Sequence, residues 1–96
     1  MSSVHIEWDS SKNKENEKKH AISFEEAQTV FYDPLTKVAP DVEHSESEDR
    51  FLAVGYSFMN RLLLVVHCYR ESEQVIRIIS ARKATRKEKC QFEEGL

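Results

Sequence analysis

At 96 residues the chain is one small domain, long enough for a core but with a large surface-to-volume ratio, so a second domain is not expected. A charged fraction of 32% and a formal net charge of −3 fit a globular protein in water, and the longest apolar run, Leu62 to Val66, is far too short to cross a bilayer. No basic stretch followed by an apolar one marks a secretory signal, so the cytoplasm is the expected location, and Cys68 and Cys90, too few and too far apart for a disulfide framework or a clustered zinc site, read as reduced thiols.

Residues 4–8 predict a short strand, followed by Asp9 as the N-cap of a helix over residues 10–20. That helix carries almost nothing apolar, so a buried hydrophobic stripe cannot hold it, and Glu15 with Lys19 at i,i+4 adds only about 0.2–0.5 kcal/mol. Ser23 and Glu26 read as a capping box that opens a second helix, with Ile22 placed for a hydrophobic staple. Phe24, Ala27, Val30 and Phe31 recur at helical spacing and give this helix the apolar face the first one lacks, until Asp33 and Pro34 stop it.

A strand over residues 36–39 leads through Pro40 into an acidic loop carrying Asp41, Glu43, Glu46, Glu48 and Asp49, with His44 among them. Three strands follow at hairpin spacing, over residues 50–58, 62–70 and 74–81, and their short connections imply an antiparallel sheet. Leu62 to Val66 is apolar on both faces and belongs at the centre, with helices covering at least one side. Residues 84–94 close the chain as a helix that Gly95 stops. The fold class is α+β: an antiparallel sheet with two N-terminal helices and a C-terminal helix.

The last strand runs directly into concentrated positive charge. Between Arg77 and Lys89 stand Arg77, Arg82, Lys83, Arg86, Lys87 and Lys89 against Glu88 alone, the footprint of a surface that meets phosphate. Metal-free RNA cleavage needs a base near the 2′-hydroxyl, cations near the phosphate and an acid near the leaving 5′-oxygen, and Lys, Arg, His and Glu suffice for that. Lys12, Asn16 and His20 at i, i+4 and i+8 share one face of the first helix with Lys19 alongside, which would account for its polarity; the competing reading is a merely solvated helix. Arg77 interrupts an apolar strand and must find an anion or reach an edge, either at a phosphate or in a structural ion pair with a residue such as Glu7 or Glu48. Arg82 and Lys83 at the sheet's exit can converge on a phosphate or simply begin a charged helix, while Arg86, Lys87 and Lys89 suit steering better than catalysis. His44 with Glu48 offers an acid and base pair, against the plainer reading of a solvated loop; His5 and His67 read as packed or edge histidines and Trp8 as a core residue.

Taken together, Trp8-Asp9, Lys12, Asn16, Lys19-His20, Ile22 to Ala27, Asp33-Pro34, His44 to Glu46, Glu48 with Arg50, Gly55, Arg61 to Leu63 and the block Ile76 to Thr85 resemble the BrnT toxins, from about Ile6 to Phe92. The resemblance implies a RelE-like fold and an endoribonuclease toxin that inhibits translation by cutting RNA. It also implies a BrnA-like antitoxin with a ribbon-helix-helix domain, through which alone operator DNA is contacted. The family commonly has Gly after the Lys-His pair where this chain has Ala21, which bears on the aim of His20.

The active surface expected on these grounds comprises His20 or Glu48 for proton transfer and Lys19, Arg50, Arg77 and Arg82 for the phosphate. Lys12, Lys83, Arg86 and Lys87 would bind and steer RNA, with no metal or other cofactor and no membrane partner. Two other classes compete: a non-catalytic nucleic-acid- or partner-binding module, and a metal-dependent enzyme centred on His44.

Overall fold

Two tight turns set the middle of the sheet. The computed structural model describes residues 4–44, 49–72 and 74–95. In it the strands β3 (Phe51–Tyr56), β4 (Leu62–Arg70) and β5 (Val75–Lys83) are antiparallel neighbours. The first turn closes with Ser57 N–H donating to the Arg61 carbonyl at 2.9 Å, around Asn60 at φ 59°. Asn tolerates that left-handed backbone better than most residues. β2 (Lys37–Pro40) joins the outer side of β3, again antiparallel.

The fifth strand departs from the expected all-antiparallel sheet. β1 (His5–Glu7) pairs with β5 in parallel, giving a mixed sheet of order β1-β5-β4-β3-β2. Hairpin spacing fixes direction only for strands that a short turn joins; β1 and β5 are separated by nearly the whole chain, which permits the parallel pairing a short connection forbids.

Residues opposite one another in these ladders share a face. Ala53, Leu63, Val65, Ile78 and Ala81 form one apolar face, buried beneath Ile22, Phe24, Ala27 and Val30, with Ile6, Trp8 and Phe31 at its margin. Trp8 meets Phe24 edge-on, ring centroids 6.1 Å apart, so it belongs to the core as expected. Gly55 lies on the same face, where an added Cβ would come within 1.9 Å of the Thr36 hydroxyl oxygen; that hydroxyl donates to the Val30 carbonyl. No side chain fits there.

The helices are α1 (Ser10–His20), α2 (Phe24–Gln28) and α3 (Arg86–Glu94). The second is shorter than its apolar spacing predicts, because Thr29 to Tyr32 tighten into a 3-10 turn. The Thr29 hydroxyl donates to the Glu26 carbonyl at 2.6 Å, a side-chain bond that competes with continued α-helix. Ser23 accepts from Glu26 N–H as a cap, but the Glu26 carboxylate turns to Arg61 and Ser57 instead of completing the expected box. A full capping box occurs at α3, between Thr85 and Glu88. α3 covers part of the second sheet face through Phe92, which packs edge-on to Tyr56 beneath the Lys37 ammonium.

The polar helix α1 is anchored by hydrogen bonds. β1 ends opposite Arg77, and farther along the edge of β5 the buried Asn16 takes the place of a strand. Its Nδ2 donates to the Ala81 and Ile22 carbonyls at 2.8 and 2.9 Å, and its Oδ1 accepts Ala81 N–H at 3.1 Å. One turn earlier Asn13 Oδ1 accepts Phe24 N–H and its Nδ2 donates to Glu25. Asp9 caps the helix start by accepting from the amides of Ser11 and Lys12. Asn16, read from spacing as part of a reactive face, is therefore the joint between α1 and the sheet. Among the described residues no helix is long and apolar enough to cross a membrane, and both cysteines are free, Cys68 buried and Cys90 exposed.

Candidate active site

Anchoring α1 through Asn13 and Asn16 leaves its other side chains to face solvent, and four of them turn toward the open sheet face. Lys12, Glu15, Lys19 and His20 line a cleft of about 350 Å³ together with Arg50, just before β3, and Ile79 and Ser80 of β5. The register of β4 on β5 shifts between Val66 and His67, so that Ser80 opposes Val66 while Ile78 opposes His67. Ile79 is the extra residue of this bulge, and bulges commonly re-aim side chains next to functional sites. Lys18, Lys19 and His20 occupy the last turn of α1, where the partial negative charge of the helix end favours cations. The turn closes at Ala21, which adopts φ 59° and donates its N–H to the Glu17 carbonyl.

The two arginines expected beside this group are held in ion pairs. Arg77 Nη1 lies 2.8 Å from Glu7 Oε2, the structural pairing weighed from the sequence. Arg82 grips both oxygens of Glu88, at 2.8 and 3.0 Å, and Thr85 N–H adds a third bond to that carboxylate. The Arg82 guanidinium outweighs the opposing effect of burial and, with Thr85, holds the Glu88 carboxyl down at about 2.

Arg82 and Glu88 stand at the wall of a second hollow, of about 570 Å³, across which Asp41 and His44 face them. His44 Nδ1 sits 3.2 Å from both oxygens of Asp41, whose side chain is buried while the imidazole is largely exposed. The expected partner of His44 was Glu48, which lies outside the described residues. Lys83 is in register with Leu63 and lines a different hollow with Arg61 and Lys89, away from the α1 cleft. Arg86 and Lys87 are exposed on the first turn of α3 and line neither hollow. The structure thus gathers Lys12, Lys19, His20 and Arg50, pairs off Arg77 and Arg82, and sets Lys83, Arg86 and Lys87 apart.

Two buried polar groups serve the scaffold. Burial alone would raise the Glu26 carboxyl, but bonds from Arg61 and the Ser57 hydroxyl bring it below the usual range, and Glu26 keeps Arg61 charged in return. His67 is enclosed by Phe31, Phe51 and Tyr69; Nδ1–H donates to the Val65 carbonyl and Nε2 accepts from the Tyr69 hydroxyl. Burial pushes this imidazole down, so it is neutral. Sequence reasoning gave no role to Asp41 or Ser80; the only sequence signal for Ser80 was its place between apolar β5 and the basic segment. Among the described residues no three His, Cys, Asp or Glu side chains gather as metal ligands.

A family model for the ribonuclease toxin BrnT of type II toxin-antitoxin systems matches residues 8–88. The chain belongs to the BrnT ribonuclease toxin family. The fold is similar to that of the ribonuclease toxin BrnT from Brucella abortus, known from a crystal structure, at 23% identity and a TM-score of 0.67 over 88% of this chain and 100% of that one. No curated protein matches the sequence. Membership makes the chain a ribonuclease toxin by class, and among its features the Trp8-Asp9 opening and the Lys19-His20 pair frame α1, whose cationic side forms the cleft.

Proposed function

We propose that this BrnT-family chain is an endoribonuclease that cuts RNA without a metal in the cleft beside α1. The observation that carries the reading is the convergence of two lysines, an arginine and an imidazole on one hollow of the open sheet face, with Glu15 as its single carboxylate. Such a donor set attracts a phosphate and is poorly suited to a divalent cation. In the reaction a 2′-oxygen loses its proton and attacks the neighbouring phosphorus, and the 5′-oxygen leaves with a proton. His20 or Glu48 would move the protons, and Lys19 and Arg50 would hold the phosphate charge that grows in between. Lys12, Lys83, Arg86 and Lys87 steer the polyanion. Arg77 and Arg82 reach phosphate only by exchanging Glu7 and Glu88 for it or by using their remaining N–H groups.

In the cell this activity would inhibit translation by cutting RNA, and a small BrnA-like ribbon-helix-helix antitoxin would silence it and alone contact operator DNA. The test is cleavage of RNA by the purified chain in excess chelator, where full activity is expected. Activity that appears only after a divalent ion is added overturns the metal-free reading, and RNA binding without cleavage leaves only a binding module.

A further inference from the structure

Strict alternation along β5 would hide Ser80. Ile78 belongs to the core face, so Ser80, two residues on, should point into the core and Ala81 away from it. The structure has the reverse: Ala81 is buried with Ile78, while Ile79 and Ser80 both line the cationic cleft. The extra residue at Ile79 makes the difference. It sets Ser80 opposite Val66, which lines the second hollow on the open face, and Ala81 opposite Val65, which is in the core. The bulge thus turns a hydroxyl out to the cleft at the expense of regular pairing. Asn16 fixes where that hydroxyl stands. It accepts Ala81 N–H at 3.1 Å and donates to the Ala81 carbonyl at 2.8 Å, one residue after Ser80 on β5 and four residues before His20 on α1. Ser80 and His20 are thereby held in register on two walls of one cleft. Among the described residues the Ser80 hydroxyl has no hydrogen-bond partner, so it is open to a ligand.

We propose, resting on the RNA-cleaving reading above, that Ser80 is a further catalytic residue, whose O–H donates to a non-bridging oxygen of the phosphate being cut. Lys12, Lys19 and Arg50 carry their charge on long stems and attract the phosphate before and during the reaction alike. The Ser80 hydroxyl is different: it is one torsion away from a strand that Asn16 holds, and so is a short, fixed donor. As the 2′-oxygen attacks phosphorus and the 5′-oxygen leaves, negative charge gathers on the non-bridging oxygens. The hydrogen bond from Ser80 to one of them strengthens, and no proton changes hands there. A contact that strengthens in the transition state acts on kcat more than on KM. A serine needed only as a small residue, to keep the cleft open, would be replaced equally well by alanine.

The experiment compares the full unaltered chain with Ser80→Ala on a short RNA that is cut once, in excess chelator, with an unfolding curve for each protein. In Ser80→Ala kcat should fall about tenfold or more while KM changes little; one preorganised donor is worth about a hundredfold in an enclosed site, and less in a cleft open to solvent. Phosphorothioate at the cut supplies a readout that a structural role would not move. Sulfur is a weak acceptor, so the stereoisomer with sulfur facing Ser80 should be cut more slowly than the other, and that gap should narrow in Ser80→Ala by about the factor the substitution costs. Unchanged kcat in a folded Ser80→Ala, a loss confined to KM, or a stereoisomer gap that Ser80→Ala leaves intact overturns the proposal. If Ser80→Ala does not fold, the two stereoisomers on the unaltered chain decide alone, and equal rates overturn it. An unaltered chain that leaves RNA uncut sinks the cleavage reading and the role of Ser80 with it; cleavage that Ser80→Ala leaves unchanged sinks the role of Ser80 alone.

Discussion

Helices α1 and α2 follow one another in the chain and pack against the same sheet, but they are fastened differently. α2 and the turn after it bury Phe24, Ala27 and Val30 completely, so their energy comes from apolar area removed from water. α1 buries only Asn16, and its energy comes from satisfying backbone groups that would otherwise lie unpaired, those of Ala81 on the edge of β5 and the Ile22 carbonyl in the link to α2. The second device uses one residue where the first uses a stripe. It leaves nearly the whole circumference of α1 to charged residues, and this is how a helix can be both a fixed part of the scaffold and a wall of a cationic cleft.

The largest expected effect falls on the apolar helix: Phe24→Ala should lower stability by about 3–5 kcal/mol, read from denaturant or thermal unfolding. Asn16→Leu should cost about 2–4 kcal/mol, because it strands buried amide and carbonyl groups. Were α1 held by apolar packing, Leu would stabilise it, so the sign of this change decides between the two devices. The acid limb of stability sharpens the contrast further. His67 lies against Phe31, on the apolar side, with its ionisation pushed below the ordinary histidine value of 6.5. Its unfolded form therefore takes up a proton first, and stability present above about pH 6.5 should fall as pH drops below it. His67→Phe should flatten that part of the curve. The Arg82 and Glu88 pair contributes above the ordinary carboxyl value of 4.5 and loses its contribution as pH falls toward about 2, a separate step that Glu88→Gln should remove. The smallest effect sits at the end of α1: Ala21 holds φ 59°, so Ala21→Gly should stabilise the chain by about 1 kcal/mol in the same unfolding measurement.

Much of the scaffold was legible because its signals are local. Asp9 as a cap, the spacing of Phe24, Ala27 and Val30, and the hairpin intervals around β4 each depend on a few neighbouring residues, and the structure realises them. The parallel placement of β1 was not legible, since no short connection fixes its direction. Glu26 was misassigned for a related reason: its local pattern with Ser23 suggests a box, but Arg61 and Ser57, far along the chain, supply better partners for a buried carboxylate. The Thr85 to Glu88 pattern has the same spacing and does close as a box, because there the Glu88 carboxylate can accept Arg82 and the Thr85 N–H together. At the candidate site the helical face of Lys12, Lys19 and His20 could be read from periodicity. The arrival of Arg50 and Ser80 beside them depends on tertiary register that no local pattern encodes, whereas the Arg77 pairing with Glu7 was one of the two readings the sequence allowed.

In the proposed reaction, chemistry happens at α1 and steering happens at α3. The direct measurement is the rate of RNA cleavage by purified His20→Ala and Arg86→Ala proteins, each with an unfolding curve to show an intact fold. His20→Ala should lose on the order of a hundredfold or more, as removal of a proton-transferring group does, while Arg86→Ala should stay within a few-fold and weaken chiefly as salt is raised. Full activity in His20→Ala, or an equal loss in Arg86→Ala, would contradict the account.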